Sequence, residues 1–195
     1  MFARMWGGSD KMKNEDRYYD LVRQATTKVS EYILGWSRRN DKEGWGEHEA
    51  TWKALLFCEL IHIDEKVKDG LSLENKANTR NKEIWKKKFD LWLLDPGNSV
   101  NYVLEVKWIR YVRQKTHPGL REVHAEKDSV YCDLIKLEKA VKSRRKRDIK
   151  GIAVAVSRNN VDAKEIIKLF KPRITDLLSE DLKLLVCSNG NCEYA

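Results

Sequence analysis

A chain of 195 residues suits one domain with a proper core, or one domain and a short extension, and excludes two full domains. Its residues are 42% hydrophobic and 35% charged, and 38 lysines and arginines against 30 acids leave a formal charge of +8, so a folded but heavily ionised surface that favours polyanionic partners is expected. No apolar run reaches the ~18 to 20 residues of a membrane span, and Met1 to Trp6 lacks a signal-peptide core, so the expected protein is cytoplasmic, without a membrane partner.

Met1 to Asn14 is polar and reads as a frayed end. From Asp16 to Ser37, Tyr18, Leu21, Val22, Ala25, Val29, Tyr32, Ile33 and Trp36 recur at spacings of three and four, which predicts an amphipathic helix. Arg38 to Gly46 is a charged, glycine-marked break. A second helix is expected from Glu47 to about Ile61, with Trp52, Leu55, Leu56, Glu59 and Leu60 near its inward face. Asp64 to Lys82 is polar, contains Gly70 and reads as a connection holding at most a short strand or helical turn. The periodicity then changes. Ile84 to Leu94 alternates toward period two, Asp95-Pro96-Gly97-Asn98-Ser99 is a strong turn, and Tyr102 to Ile109 is a compact apolar run, which together predict a hairpin.

His117-Pro118-Gly119 opens a polar loop, and Asp128 is suited to cap a helix containing Val130, Tyr131, Leu134, Leu137 and Val141. Ile149 to Val156 reads as a buried strand, Asp162 to Phe170 as a helix and Leu182 to Cys187 as a last strand. This order predicts a single α/β domain whose central mixed β-sheet is flanked by helices, with residues 1–43 as an N-terminal helical extension, 47–156 as the core and 157–195 as a C-terminal helix and strand. Cys58 and Cys132 fall in apolar periodic stretches where buried thiols are expected. Cys187 and Cys192 frame Ser-Asn-Gly-Asn, a segment able to turn back on itself, and as a lone C-x4-C pair they make half a zinc site at best.

Chemistry concentrates at the hairpin. A symmetric register around Gly97 and Asn98 pairs Leu94 with Asn101, Trp92 with Val103, and Asp90 with Glu105. Two carboxylates facing each other on a sheet repel, and such an arrangement calls for a cation. Mg²⁺ is the natural one, because it is hard, takes carboxylate oxygens and keeps waters to share with phosphate. Alternation puts Glu105 and Lys107 on one face of the second strand, with Leu104, Val106 and Trp108 on the other. A lysine in so apolar a run needs a partner or a task, here to orient or help deprotonate an attacking water and to offset charge on the pentavalent phosphate. The competing reading makes the three residues the solvated face of a half-exposed strand.

Lys88-Phe89-Asp90-Leu91-Trp92-Leu93-Leu94, a turn, and Tyr102-Val103-Leu104-Glu105-Val106-Lys107 together resemble the PD-(D/E)XK nuclease superfamily, which includes restriction endonucleases and archaeal Holliday-junction resolvases. The resemblance covers about Glu47 to Val156 and implies a restriction endonuclease-like core. It implies that Asp90 and Glu105 bind a divalent metal, Mg²⁺ or Mn²⁺, and that Lys107 serves hydrolysis of a DNA phosphodiester. Phe89 stands where the nominal motif has proline. A helical glutamate often completes such sites, and Glu49 is the choice here, with Glu47 and Glu59 as rivals. Many relatives cut two strands as dimers, which puts a homodimer among the expected states.

Around this motif, Lys86, Lys87 and Lys88 precede Asp90, while Arg110 and Arg113 follow Lys107, so all five are candidates to track a phosphate backbone, or else guard a strand edge. Lys136 on the following helix is a candidate phosphate contact, with a helix-surface salt bridge as the plainer role. The run Lys142 to Lys150, including Arg144 and Arg145, is the densest positive cluster, and it also suits a helix C-terminus whatever the protein does. The histidines at 48, 62, 117 and 124 lack metal-ligand spacing. Three functions therefore compete: an Mg²⁺-dependent endonuclease, a nuclease fold that binds nucleic acid without cutting, and a basic interaction protein in which the motif is accidental.

Overall fold

The computed structural model describes residues 10–40, 49–74, 88–95, 100–113, 118–121, 130–143, 148–157 and 162–195, with side-chain surroundings for 17–33, 50–74, 88–95, 100–107, 109, 130–143, 148–157 and 162–195. Two helices lead, α1 (Asp10–Asn40) and α2 (Glu49–Ile63), followed by a 3-10 turn at Glu65–Gly70 and strand β1 (Leu71–Leu73). Then come β2 (Leu91–Asp95), β3 (Val100–Arg113), β4 (Pro118–Arg121), α3 (Val130–Lys142), β5 (Asp148–Ser157), α4 (Ala163–Ile174), β6 (Leu182–Ser188) and β7 (Asn191–Tyr194). Six strands lie in the order β1-β2-β3-β5-β6-β7, and β4 pairs with the far end of β3. Pairing is antiparallel among β1, β2 and β3, parallel from β3 through β5 to β6, and antiparallel again at β7. The chain is thus an α/β fold with a mixed sheet packed against helices and an N-terminal helix pair.

Period-two alternation divides β3 between two cores. Val100, Tyr102, Leu104 and Val106 pack with α1, α2 and alternate residues of β5 (Ile152, Val154, Val156). Val103 and Ile109 face the other way, toward α3 and α4, with Ala153 and Ala155 of β5. A sheet covered on both faces explains why β5 is buried from Ile149 to Ser157. Leu134 and Leu137 seat α3, while Tyr131, about 100° around the helix from Val130, is 41% exposed and stands outside the predicted apolar face.

Several expectations need correction. Of the first hairpin strand, expected over Ile84 to Leu94, the described residues show a strand at Leu91–Asp95; residues 75–87 lie outside the described ones, as do the turn residues 96–99 and the Asp128 cap. The segment read as a polar loop at Pro118-Gly119 is β4, because β3 runs on to Arg113 and offers it a ladder from Arg110↔Arg121 to Arg113↔Pro118. Helix α4 continues through Pro172 to Ile174: Pro172 forfeits one bond in the last turn, and burial of Ile174 offsets that loss. Tyr32 is 59% exposed because the buried stripe of α1 turns toward Thr26, Ser30 and Ile33, where the Ser30 hydroxyl accepts from Gly190 N at 3.1 Å. Cys58 is exposed, since it lies opposite the Trp52, Leu56 and Leu60 face. Lys150, counted in the basic cluster, is buried beside Asp181.

Strand β7 escaped the sequence reading. Asn189 and Gly190, with φ of 52° and 82°, make the two-residue turn that the right-handed strand twist favours. Cys187 and Cys192 are register partners across it and are joined by a disulfide, which the expectation of a cytoplasmic protein did not anticipate.

Candidate active site

The site begins with a gap in strand pairing. On one side of β3 the ladder with β2 stops at Leu91↔Leu104 and the ladder with β4 starts at Arg110↔Arg121, so Glu105 to Ile109 lies outside both. On the other side β5 accompanies β3 through Ile109↔Ser157. Among the described residues this leaves a notch in the sheet. Asp90 sits one residue before β2, where the hairpin register carries it opposite Glu105. Having left the ladder, it turns its carboxylate on the strand: Oδ2 accepts from Val106 N at 2.8 Å, and its backbone carbonyl accepts from Glu74 N at 2.9 Å. A backbone donor that lost its strand partner is satisfied by a carboxylate instead.

Glu105 is the deepest charged group of the notch, 5% exposed on the face of β3 toward α3. Its register neighbours on β5 are small: Ala153 lies beside Glu105 and Ala155 beside Lys107. Burial, the charge of Asp90 and the charge of Asp133 push its carboxyl up to about 8, and Lys136 pulls back only in part. The Lys136 ammonium reaches down from α3 to Glu105 Oε1 at 2.5 Å, donates to the Lys88 carbonyl at 2.5 Å and lies 4.9 Å from the Phe89 ring centroid. Asp133 and Lys136 are three residues apart and share a helical face, which places acid and base over the same carboxylate.

Asp90 has its own ammonium. Lys53 of α2 approaches Asp90 Oδ1 at 2.7 Å, and both side chains are largely covered, at 17% and 14% exposed. The sequence reading missed Lys53. A single lysine in the otherwise apolar run Trp52 to Cys58 was the available signal. Glu49 opens α2 one turn before Lys53, so its position falls on the same helical side; its side chain lies outside the described surroundings. Glu59, a rival third acid, is instead 3.2 Å from Lys28 of α1, and Glu47 lies outside the described residues. Lys107 is partly exposed, two residues beyond Glu105 on the same face.

The structure therefore brings Asp90, Glu105 and Lys136 together, with Lys107 at the next position along the face and Lys53 closing the other side. Among the described residues, no three His, Cys, Asp or Glu side chains gather closely enough to hold a metal ion by themselves. Of the expected backbone-tracking cations, Lys88 is exposed, 3.9 Å from Glu74. Arg110 and Arg113 belong to β3 with side chains outside the described surroundings, and Lys86, Lys87, Arg144 and Arg145 lie outside the described residues. No described helix is long and apolar enough to cross a membrane. No protein-family model, curated protein or solved structure matches this chain.

Proposed function

We propose that the protein is a metal-dependent endonuclease of the PD-(D/E)XK type, with a restriction endonuclease-like core, that hydrolyses DNA phosphodiester bonds. The observation that carries this reading is the meeting of Asp90 and Glu105 at a notch in a buried sheet, with Lys107 two residues further along the same face. A half-exposed strand would leave both acids in water, whereas Glu105 is buried and its carboxyl is held far above the ordinary range. The two carboxylates meet in a largely covered notch, and their donors are hard oxygens. Two carboxylates suit Mg²⁺, which keeps waters for a phosphate, and Mn²⁺ takes the same donors.

Asp90 and Glu105 would hold the ion, with Glu49 as the further acid from α2. A bound divalent ion lowers the pKa of water and offsets charge at phosphorus. Val106 N fixes the Asp90 carboxylate, so that ligand is oriented before any ion arrives. Lys107 orients the attacking water and stabilises the charged phosphorane. The formal charge of +8 supports DNA as the polyanion. The test is nicking of plasmid DNA with Mg²⁺ or Mn²⁺. Lys107→Ala should abolish it with an unchanged circular-dichroism melt, and equal cutting by the variant overturns the assignment.

One observation favours the second reading, a nuclease fold that binds nucleic acid without cutting: both carboxylates are already met by ammonium groups, Lys53 and Lys136. Salt-dependent DNA binding with no nicking in either ion would identify it.

A further inference from the structure

The two ammonium groups decide how this site takes a metal, a question that rests on the nuclease reading above. A divalent cation bridging Asp90 and Glu105 needs an oxygen of Glu105, and Lys136 holds Oε1 at 2.5 Å. A second cation on this carboxylate meets the Lys136 ammonium at close range, and the repulsion is strong because the Glu105 side chain is 6% exposed and that of Lys136 only 21%. The lysine has somewhere to stay. The Lys88 carbonyl at 2.5 Å and the Phe89 ring at 4.9 Å hold the same ammonium independently of Glu105, on the segment leading into Asp90.

We infer that Lys136 is the resident counter-ion of Glu105 and is exchanged for the divalent cation, swinging from the carboxylate onto the outer rim of the notch, where it meets a substrate phosphate. Lys136 is then a positioning residue with two stations. Without metal it keeps the buried carboxylate from standing uncompensated beside Asp90. With metal bound it becomes a second positive charge facing the DNA backbone. Lys53 differs, because its partner Asp90 is fixed through Val106 N and loses no orientation when the cation arrives.

The exchange is read by amine labelling. The whole protein is acetylated briefly with and without saturating Mg²⁺, in the absence of DNA, and each lysine is quantified by mass spectrometry; Mg²⁺ binding is followed separately by calorimetry. Labelling of Lys136 should rise several-fold with Mg²⁺. Lys150, buried beside Asp181, should stay protected in both states and so report that the fold is intact. Glu105→Gln should leave Lys136 labelled at the high level with or without the ion. Mg²⁺ binding with Lys136 labelling unchanged or lowered overturns the exchange and leaves the nuclease reading standing. Absence of calorimetric binding of Mg²⁺ and of Mn²⁺ overturns both.

Discussion

The two faces of β3 use lysine in opposite ways. On the face toward α1, Tyr102 is stacked on Tyr18 with ring centroids 4.8 Å apart and meets the edge of Tyr19 at 5.8 Å. Lys183 of β6 lies 3.9 Å from the Tyr19 ring centroid and Lys150 of β5 lies 6.0 Å from it. Tyr19 and Tyr194 are tied further by hydrogen bonds to backbone carbonyls, Tyr19 to Glu180 at 3.1 Å and Tyr194 to Tyr19 at 2.7 Å, and burial raises the Tyr194 hydroxyl above its usual range. Lys183 meets a ring and Lys150 is also paired with Asp181, and the cluster fastens α1 to the sheet. On the opposite face the ammonium of Lys136 sits on a carboxylate. On the reading proposed above that contact is exchanged for a metal ion, and lysine would then mark packing on one face and chemistry on the other.

The comparison breaks most sharply at Lys107. Lys107→Ala is expected to lower Mg²⁺-dependent cleavage by roughly 10²- to 10⁴-fold, the usual worth of a positioned proton-transfer or charge-stabilising group, with no loss of thermal stability. A comparable loss of stability would make Lys107 a packing residue like Lys150. On the tyrosine face the order reverses. Tyr102 is 1% exposed, and Tyr102→Ala should cost about 3–5 kcal/mol in urea unfolding, through the cavity and the lost ring contacts. A cost below about 1 kcal/mol would mean that the aromatic cluster fastens nothing.

The third prediction concerns pH. The folded-state pKa of Glu105, about 8, lies above its ordinary 4.5, so between these values the folded protein holds more protons than the unfolded chain. The stability contributed by Glu105 is full below about pH 4.5 and is lost as the pH rises through 8. Glu105→Gln should therefore flatten the decline of urea-unfolding stability across this window. An unchanged slope would show that the Lys136 contact outweighs burial and the charge of Asp90 at this carboxyl.

How much of this was legible in the sequence depended on distance along the chain. Alternation from Tyr102 to Ile109 and the turn near Gly97 sufficed for the register Leu94↔Asn101 and Trp92↔Val103, because both are local facts of strand geometry. The notch was not legible. Among the described residues it exists because β2 ends where β4 has not yet begun, and a short strand that opens on Pro118-Gly119 has the composition of a loop. Lys53 and Lys136 reach the carboxylates from helices on either side of the hairpin in sequence, and a helical period shows which way a lysine leaves its helix without showing what it meets. Strand β7 differs: Asn189-Gly190 before Asn191-Cys192 carried a hairpin signal that the sequence contained.

The smallest expected effect tests whether the two faces are independent. The Cys187–Cys192 disulfide closes a short loop at a sequence separation of 5, and on a chain-entropy account it stabilises by about 2 kcal/mol. Its strands carry Leu185 and Tyr194 in register, on the tyrosine side of the sheet. Reduction should lower the melting temperature by roughly 4–8 °C for a chain of this size, and the Cys187→Ala/Cys192→Ala variant should melt alike with and without reductant. Because the notch lies across β3, on the face toward α3, Mg²⁺-dependent cleavage measured well below the melt should survive reduction. If cleavage falls while the melt stays put, the fastening on the tyrosine face is transmitted through β3 to Glu105, and the division between packing and chemistry is not the one that the alternation of side chains draws.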